Sequence, residues 1–177
     1  ETWQAMAMLR SLGDADWFNL GDRDLGMHIA RSWRLREGAT LSEVTERLAG
    51  ALGIVHRVVP MSNEPVRTQI LAGDIWLDFQ HYFVAEQCRP VASAIRFAGA
   101  GSAPSPGFAA ALDRDDLAAV ILCPSNPYLS VDPLLSLTGV GNALAALEVP
   151  VVAVSPLVGG KAIKGPLAKL LGEVEGL

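Results

Sequence analysis

Cysteine, histidine and lysine are scarce in these 177 residues, and each scarcity removes a class of function. Cys88 and Cys123 are the only cysteines. Two thiols do not make a disulfide framework, and neither has a partner at metal-ligand spacing. The histidines, His28, His56 and His81, are scattered, and none pairs with Cys or an acid in a metal-binding pattern. No Gly-x-Ser-x-Gly elbow occurs, which argues against a serine hydrolase. Long apolar runs are also lacking. Charges such as Asp113, Asp132 and Glu148 cut the C-terminal stretches short of the roughly 20 residues that a spanning helix needs. A basic excess is lacking as well. Lys plus Arg number 14 against 19 Asp plus Glu, so the net charge is −5 and the pI is near 5.1. A general nucleic-acid binder needs a basic face to displace counterions. The reading is therefore no nucleic acid and no membrane, with a cytoplasmic location as the default and Cys123 buried at the end of an apolar run.

What remains is a globular composition. Half of the residues are hydrophobic and 19% are charged. The length suits one α/β domain over residues 1–177, with roughly 69% of the unfolded surface buried. The chain begins at Glu1 without a methionine, so a fragment of a longer protein is expected.

Periodicity divides the chain into three parts. Residues 1–55 read as helical. Ala5, Met8 and Leu9 form a stripe that Gly13 stops. Leu25, Ile29 and Trp33 continue at spacing four up to Gly38, and Thr40 with Glu43 is a capping-box signal. Val44, Leu48 and Leu52 follow as a core stripe closed by Gly53. Residues 56–98 read as β-rich. Arg57 to Pro60 is a short apolar run, Val66 to Leu71 and Ile75 to Val84 flank a turn at Ala72-Gly73-Asp74, and Ile95 and Phe97 add a further strand. Residues 117–177 read as a βαβ part. Leu117 to Cys123 and Val149 to Val154 are continuous apolar runs, as expected of neighbouring parallel strands buried on both faces. A helix near Ala143 to Leu147 lies between them, and another starts at Pro166. The fold class is α/β, Rossmann-like: a mainly parallel sheet with helices, plus an inserted helical and β-hairpin region.

Both apolar strands run into small polar loops. The first is Pro124-Ser125-Asn126-Pro127. The second is Ser155 to Gly160, followed by Lys161 and Lys164. Ligands of open α/β sheets bind outside the carboxyl ends of the strands, so the two loops line one crevice. Gly159 and Gly160 let backbone approach a ligand, and a helix start at Pro166 offers free N–H groups beside the Lys charge. These features fit a phosphate site or an ordinary strand–helix connection. The segment Gly21-Asp22-Arg23-Asp24 likewise has two readings: acids capping a helix, or Arg23 held by its acidic neighbours against a polar ligand. Pro60 to Thr68 reads as a rigid turn from which Arg67 and Thr68 meet an anion, or as a turn alone.

Taken in order, Trp17-Phe18, Leu20 to Asp24, Pro60-Met61-Ser62, Pro65 to Thr68, Phe79-Gln80, Pro124 to Pro127, and Ser155 through Pro166 resemble the 2-phospho-L-lactate transferase family over essentially the whole chain. The resemblance implies a part in making the deazaflavin coenzyme F420. A phospholactyl or phosphoenolpyruvyl group passes from a guanosine diphosphate adduct to a deazaflavin alcohol, GMP leaves, and Mg2+ is the cofactor. It implies that Arg23 helps to bind the deazaflavin acceptor. Asp22, Asp24 and Arg67 complete the candidate substrate set. It implies that Ser125, Asn126 and the Gly159-Gly160 loop face the guanosine nucleotide, with Pro127, Ser155 and Lys164 beside them. It assigns no catalytic residue and no metal ligand within this chain.

The family's glycine-rich nucleotide loop and acidic magnesium residues are expected before Glu1. An acid is common in the family at the positions of Asn63 and His81. Residues 1–177 therefore resemble the central part of such an enzyme, expected to bind nucleotide weakly and to lack transferase activity alone. A homodimer is an open option. The rival class is a nucleotide-sugar-binding regulatory protein on a similar scaffold, and a blander option is a scaffold that binds nothing alone.

Overall fold

The computed structural model describes residues 2–14, 16–159, 161–162 and 165–174. Two compact units divide the chain, Glu1–Val59 and Pro60–Leu177.

The first unit carries three helices: α1 (Gln4–Leu12), α2 (Asp22–Arg36) and α3 (Leu41–Ala51). Gly13 closes α1 in the left-handed region, as its place after the stripe predicts. The capping box of α3 forms in full. Glu43 N donates to Thr40 Oγ1 at 3.3 Å, and Thr40 N donates to the Glu43 carboxylate at 2.7 Å. The bond from the Thr40 backbone first, and then one that the Thr40 hydroxyl donates at 2.8 Å, hold the Glu43 carboxyl below its ordinary pKa. The core stripe is shorter than its spacing suggests. Val44 is buried, but Leu52 lies past the last helical turn and is exposed.

In the second unit, β1 (Arg67–Ala72), β2 (Ile75–Asp78) and β3 (Ala92–Ala98) form an antiparallel sheet in the order β2-β1-β3. Ile70 faces Leu77 on one side and Ile95 on the other, so these three apolar residues share one face. That face buries Ile70 against Tyr82, Ala92 and Leu170. The Ala72-Gly73-Asp74 turn is present. The second strand stops at Asp78 rather than at Val84. From there Phe79 and Phe83 stack at 5.4 Å, four residues apart, and a π-helical turn spans His81–Ala85. Spacing four is a helical period, so alternation gives way where those rings pair. No strand forms over Arg57 to Pro60, because the Pro60 carbonyl accepts from Ser105 Oγ at 2.6 Å instead of from a neighbouring strand.

Helix α4 (Pro106–Leu112) is capped by Ser105, whose Oγ accepts from Phe108 N. Beyond it, β4 (Val120–Leu122) and β5 (Val151–Ala153) pair in parallel with Val120 opposite Val151. A π-helical turn (Pro127–Val131) and the helices α5 (Asp132–Leu135) and α6 (Val140–Ala145) form the crossover between them. The expected βαβ unit is therefore present. Its burial differs from expectation. Ile121 is 63% exposed, Val151 and Val152 are also exposed, and so is Cys123. A two-stranded sheet among the described residues has too few neighbours to cover both faces, whatever its apolar composition. A hairpin of β6 (Leu157–Val158) and β7 (Lys161–Ala162) follows, then α7 (Leu167–Val174), whose first turn includes the bond from Leu170 N to Pro166 O.

Helix α7 is fastened to the antiparallel sheet by polar contacts. Glu173 accepts from Ala92 N at 2.9 Å, and Lys169 donates to Tyr82 Oη at 2.9 Å and to the Pro90 carbonyl at 2.8 Å. Lys169 and Glu173 also form an ion pair. Burial alone would raise the Glu173 pKa, but the Ala92 and Lys169 hydrogen bonds outweigh it and hold the carboxyl below its ordinary value. Lys169 moves the other way. Burial would lower it, and its bonds to Glu173 and Tyr82 leave it raised. No helix among the described residues is long and apolar enough to cross a membrane.

Candidate functional site

The candidate site in the second unit is built on the parallel pair. Leu122 lies opposite Ala153, and Val154 N still donates to the Leu122 carbonyl at 3.0 Å. Pairing therefore persists to Val154, the residue before the second loop, and to Leu122, two residues before the first. The chain leaves both strands side by side, at the carboxyl end where the sequence placed a crevice. Ser125, Asn126 and Pro127 on one strand and Ser155 on the other start from this edge.

Asn126 organises its own loop. Its Oδ1 accepts from Leu129 N at 3.3 Å, and its carbonyl accepts from Ser130 N at 2.9 Å, so it caps the turn that Pro127 begins. The other half of the amide is not used. Asn126 Nδ2 is buried and has no hydrogen-bond partner among the described residues. An unmade bond at a buried donor costs about 1–3 kcal/mol, and such groups are uncommon in native folds. Ser125 and Pro127 are half-buried beside it.

The second loop departs from expectation. Ser155 Oγ accepts from Leu157 N at 3.1 Å, which turns the chain into the β6–β7 hairpin. Val158 pairs with Lys161, so the chain turns between them, with Gly159 first in the turn. Gly159 takes φ +57, the conformation that tight hairpin turns demand. Gly159 therefore has a local structural reason to be glycine. Gly160 and Lys164 lie outside the described residues.

Arg67 opens β1 opposite Ala98, exposed and with no side-chain hydrogen bond or ion pair among the described residues. The turn before it is rigid for reasons beyond its prolines. Ser62 is buried, donates to the Ala103 carbonyl at 2.7 Å and accepts from Glu64 N at 3.1 Å. Ser105 N donates to the Met61 carbonyl at 2.8 Å.

In the first unit the acids at the start of α2 do not hold Arg23. Asp22 reaches back to α1, whose own N-cap makes no side-chain bond, and accepts from Gln4 N at 3.1 Å and Ala5 N at 3.0 Å. A hydrogen bond from the Thr2 side chain, then that from Ala5 N, lowers its pKa against the opposing effect of burial. Asp22 caps a helix 17 residues away, not its own. Arg23 and Asp24 are both exposed, and no partner holds the Arg23 guanidinium among the described residues.

Nowhere among the described residues do three His, Cys, Asp or Glu side chains gather to hold a metal ion. The magnesium implied by the resemblance therefore lacks a ligand set in them. Asn126's capping role was visible in principle, because Asn before Pro is a helix-start signal. Its spare donor was not.

Residues 1–176 match the family described as 2-phospho-L-lactate transferase CofD. The chain is 37% identical to a phosphoenolpyruvate transferase of Kitasatospora aureofaciens, over 98% of this chain and 56% of that protein. It is 40% identical to a 2-phospho-L-lactate transferase of Halobacterium salinarum, over 90% of this chain and 46% of that protein. A 2-phospho-L-lactate transferase of Methanosarcina mazei is 33% identical, over 97% and 55% respectively. The chain thus spans about half the length of the curated relatives it matches. With a family match across nearly all of its residues, the chain belongs to the 2-phospho-L-lactate transferase CofD family.

Proposed function

We propose that this chain is the nucleotide-facing part of a coenzyme F420 biosynthesis transferase. The whole enzyme would move a phospholactyl or phosphoenolpyruvyl group from a guanosine diphosphate adduct to a deazaflavin alcohol and release GMP. The observation that carries the reading is the unpartnered, buried Nδ2 of Asn126 at the carboxyl end of a parallel pair. A donor held there by its own cap suits an acceptor oxygen of a nucleotide. The Ser155 hydroxyl leaves the neighbouring strand at the same edge. The sheet would extend in Rossmann-like fashion in the whole enzyme, which also fits the exposed apolar side chains of β4 and β5.

Transfer to an alcohol needs positioning and charge stabilisation more than a protein nucleophile. Asn126 would position the nucleotide. Arg23, exposed at the start of α2, would grip the polar part of the deazaflavin acceptor. Mg2+ is proposed as cofactor through ligands other than a cluster in the described residues, and no step is derived through it.

Calorimetric titration with GDP tests the donor half. Asn126→Ser keeps a capping oxygen and removes the amide donor, and is expected to weaken GDP binding roughly 5- to 50-fold. Unchanged affinity in Asn126→Ser would sink the assignment. Tight binding of a nucleotide sugar in place of GDP would favour the regulatory class. Arg23→Ala tests the acceptor half. In a full-length family enzyme carrying this segment, it is expected to weaken acceptor binding roughly 10- to 100-fold while leaving GDP binding nearly intact. Equal loss for both ligands would indicate a folding defect instead.

A further inference from the structure

The antiparallel sheet turns Ile70, Leu77 and Ile95 to the core and carries a polar row on its other face. The row crosses all three strands. Asp78 Oδ1 accepts from Gln69 Nε2 at 2.9 Å, and Gln69 Oε1 accepts from Arg96 Nε at 2.8 Å. The acid thus turns the amide so that its oxygen meets the guanidinium. Arg96 then reaches over β1 to Trp76 on β2, where its Cζ lies 4.1 Å from the ring centroid. The stacking and the Nε bond together fix the plane of the guanidinium. They leave its Nη donors unused, because Arg96 is exposed and forms no ion pair among the described residues.

A second guanidinium shares this face. Arg67 precedes Gln69 by two residues on β1, about 7 Å along the strand. Because Arg67 is opposite Ala98 and Gln69 is opposite Arg96, the two arginines are diagonal neighbours across β1 and β3. The backbone before Arg67 is fixed by the turn that Ser62 pins. Neither arginine is neutralised. The acid of the row, Asp78, is taken up by Gln69 and starts two strands away from Arg96. In a chain of net charge −5, two such cations on one face attract an anion locally. Their number decides its class. A carboxylate has two oxygens and fills one guanidinium fork, whereas a phosphate group has enough oxygens to accept from two forks at once. We propose that Arg67 and Arg96 form a site for the phosphate group of a small anion on the outer face of the antiparallel sheet. Trp76 and Gln69 position Arg96 for it. The site uses none of the residues of the Asn126 loop and does not rest on the nucleotide reading.

Nuclear magnetic resonance of the nitrogen-labelled chain reads the site directly, in titrations with inorganic phosphate and separately with phosphoenolpyruvate at fixed ionic strength. Saturable shifts are expected at the Trp76 indole N–H and at the backbone N–H groups of Arg67 and Arg96, with a dissociation constant of about 1 mM or tighter. Equal affinity for the two anions assigns the free ion, and tighter phosphoenolpyruvate assigns a phosphate ester; both uphold a phosphate site. Arg67→Gln removes one fork and is expected to raise the dissociation constant about tenfold. Arg96→Lys keeps the charge but loses the fork and the flat stack on Trp76, and is expected to raise it at least about fivefold. Both residues are exposed, so the resonances of the buried sheet face should stay in place. Asn126→Ser should leave the phosphate shifts unchanged, which separates this site from the nucleotide loop. Absence of saturable shifts with either anion, acetate binding as tightly as phosphate, full affinity in Arg96→Lys, or loss of the shifts in Asn126→Ser would overturn the proposal.

Discussion

Replacing Gly99 with alanine is expected to destabilise the second unit by about 3 kcal/mol or more. Two effects coincide at this residue. Its φ is +98, which L side chains rarely adopt. A Cβ there would lie 2.1 Å from the Pro65 carbonyl oxygen and 3.3 Å from Val66 Cα. Both obstacles are backbone, so no side chain can swing aside to make room. Gly101 separates the two effects. It has φ +84 with nothing within 4 Å of a built Cβ, so Gly101→Ala should cost only the conformational part, about 1–2 kcal/mol. Urea denaturation of the two variants beside the parent measures the difference. Equal losses would show that the Pro65 contact yields easily. The consequence for function lies one residue beyond the contact, where Val66 leads into Arg67 at the start of β1.

The same locality explains what was legible in the sequence. Signals that depend on near neighbours came through: the Thr40–Glu43 box, the Gly13 stop, the turn at Ala72-Gly73-Asp74, and the apolar runs that pair as β4 and β5. Signals that depend on distant chain did not. Asp22 looks like a cap for its own helix, yet it serves α1, because the N-cap of α1 is Trp3, whose side chain cannot accept. Arg57 to Pro60 is apolar enough for a strand, but a strand needs a partner, and Ser105 takes the Pro60 carbonyl. The exposure of Ile121 and Val152 follows from sheet size rather than from composition. For the candidate site, the loops and their shared edge were readable from the βαβ pattern. The spare amide of Asn126 was not, since it emerges only once Oδ1 has been committed to Leu129 N.

Tyr82 is the residue whose loss should cost the second unit most. It is fully buried in the cluster with Ile70, Ala92 and Leu170, and its ring lies 5.6 Å from Lys169 Nζ. Its hydroxyl donates to the Pro90 carbonyl at 3.2 Å and accepts from Lys169. Tyr82→Ala removes the ring and leaves a cavity between the sheet and α7, at a cost of about 3–5 kcal/mol. Tyr82→Phe keeps the ring and removes only the hydroxyl. The Pro90 carbonyl and Glu173 still accept from Lys169, so this change should cost no more than about 1–2 kcal/mol. The ratio of the two losses in urea tells whether packing or the polar clamp holds α7. If Tyr82→Phe cost as much as Tyr82→Ala, the clamp would dominate. In either case α7 should loosen first. Hydrogen exchange at Leu170 N, which bonds to the Pro166 carbonyl, should then speed up in Tyr82→Ala before exchange in β1 does. Helix α7 begins directly after Pro166, so its anchoring at Tyr82 fixes the point from which that proline leads into the helix.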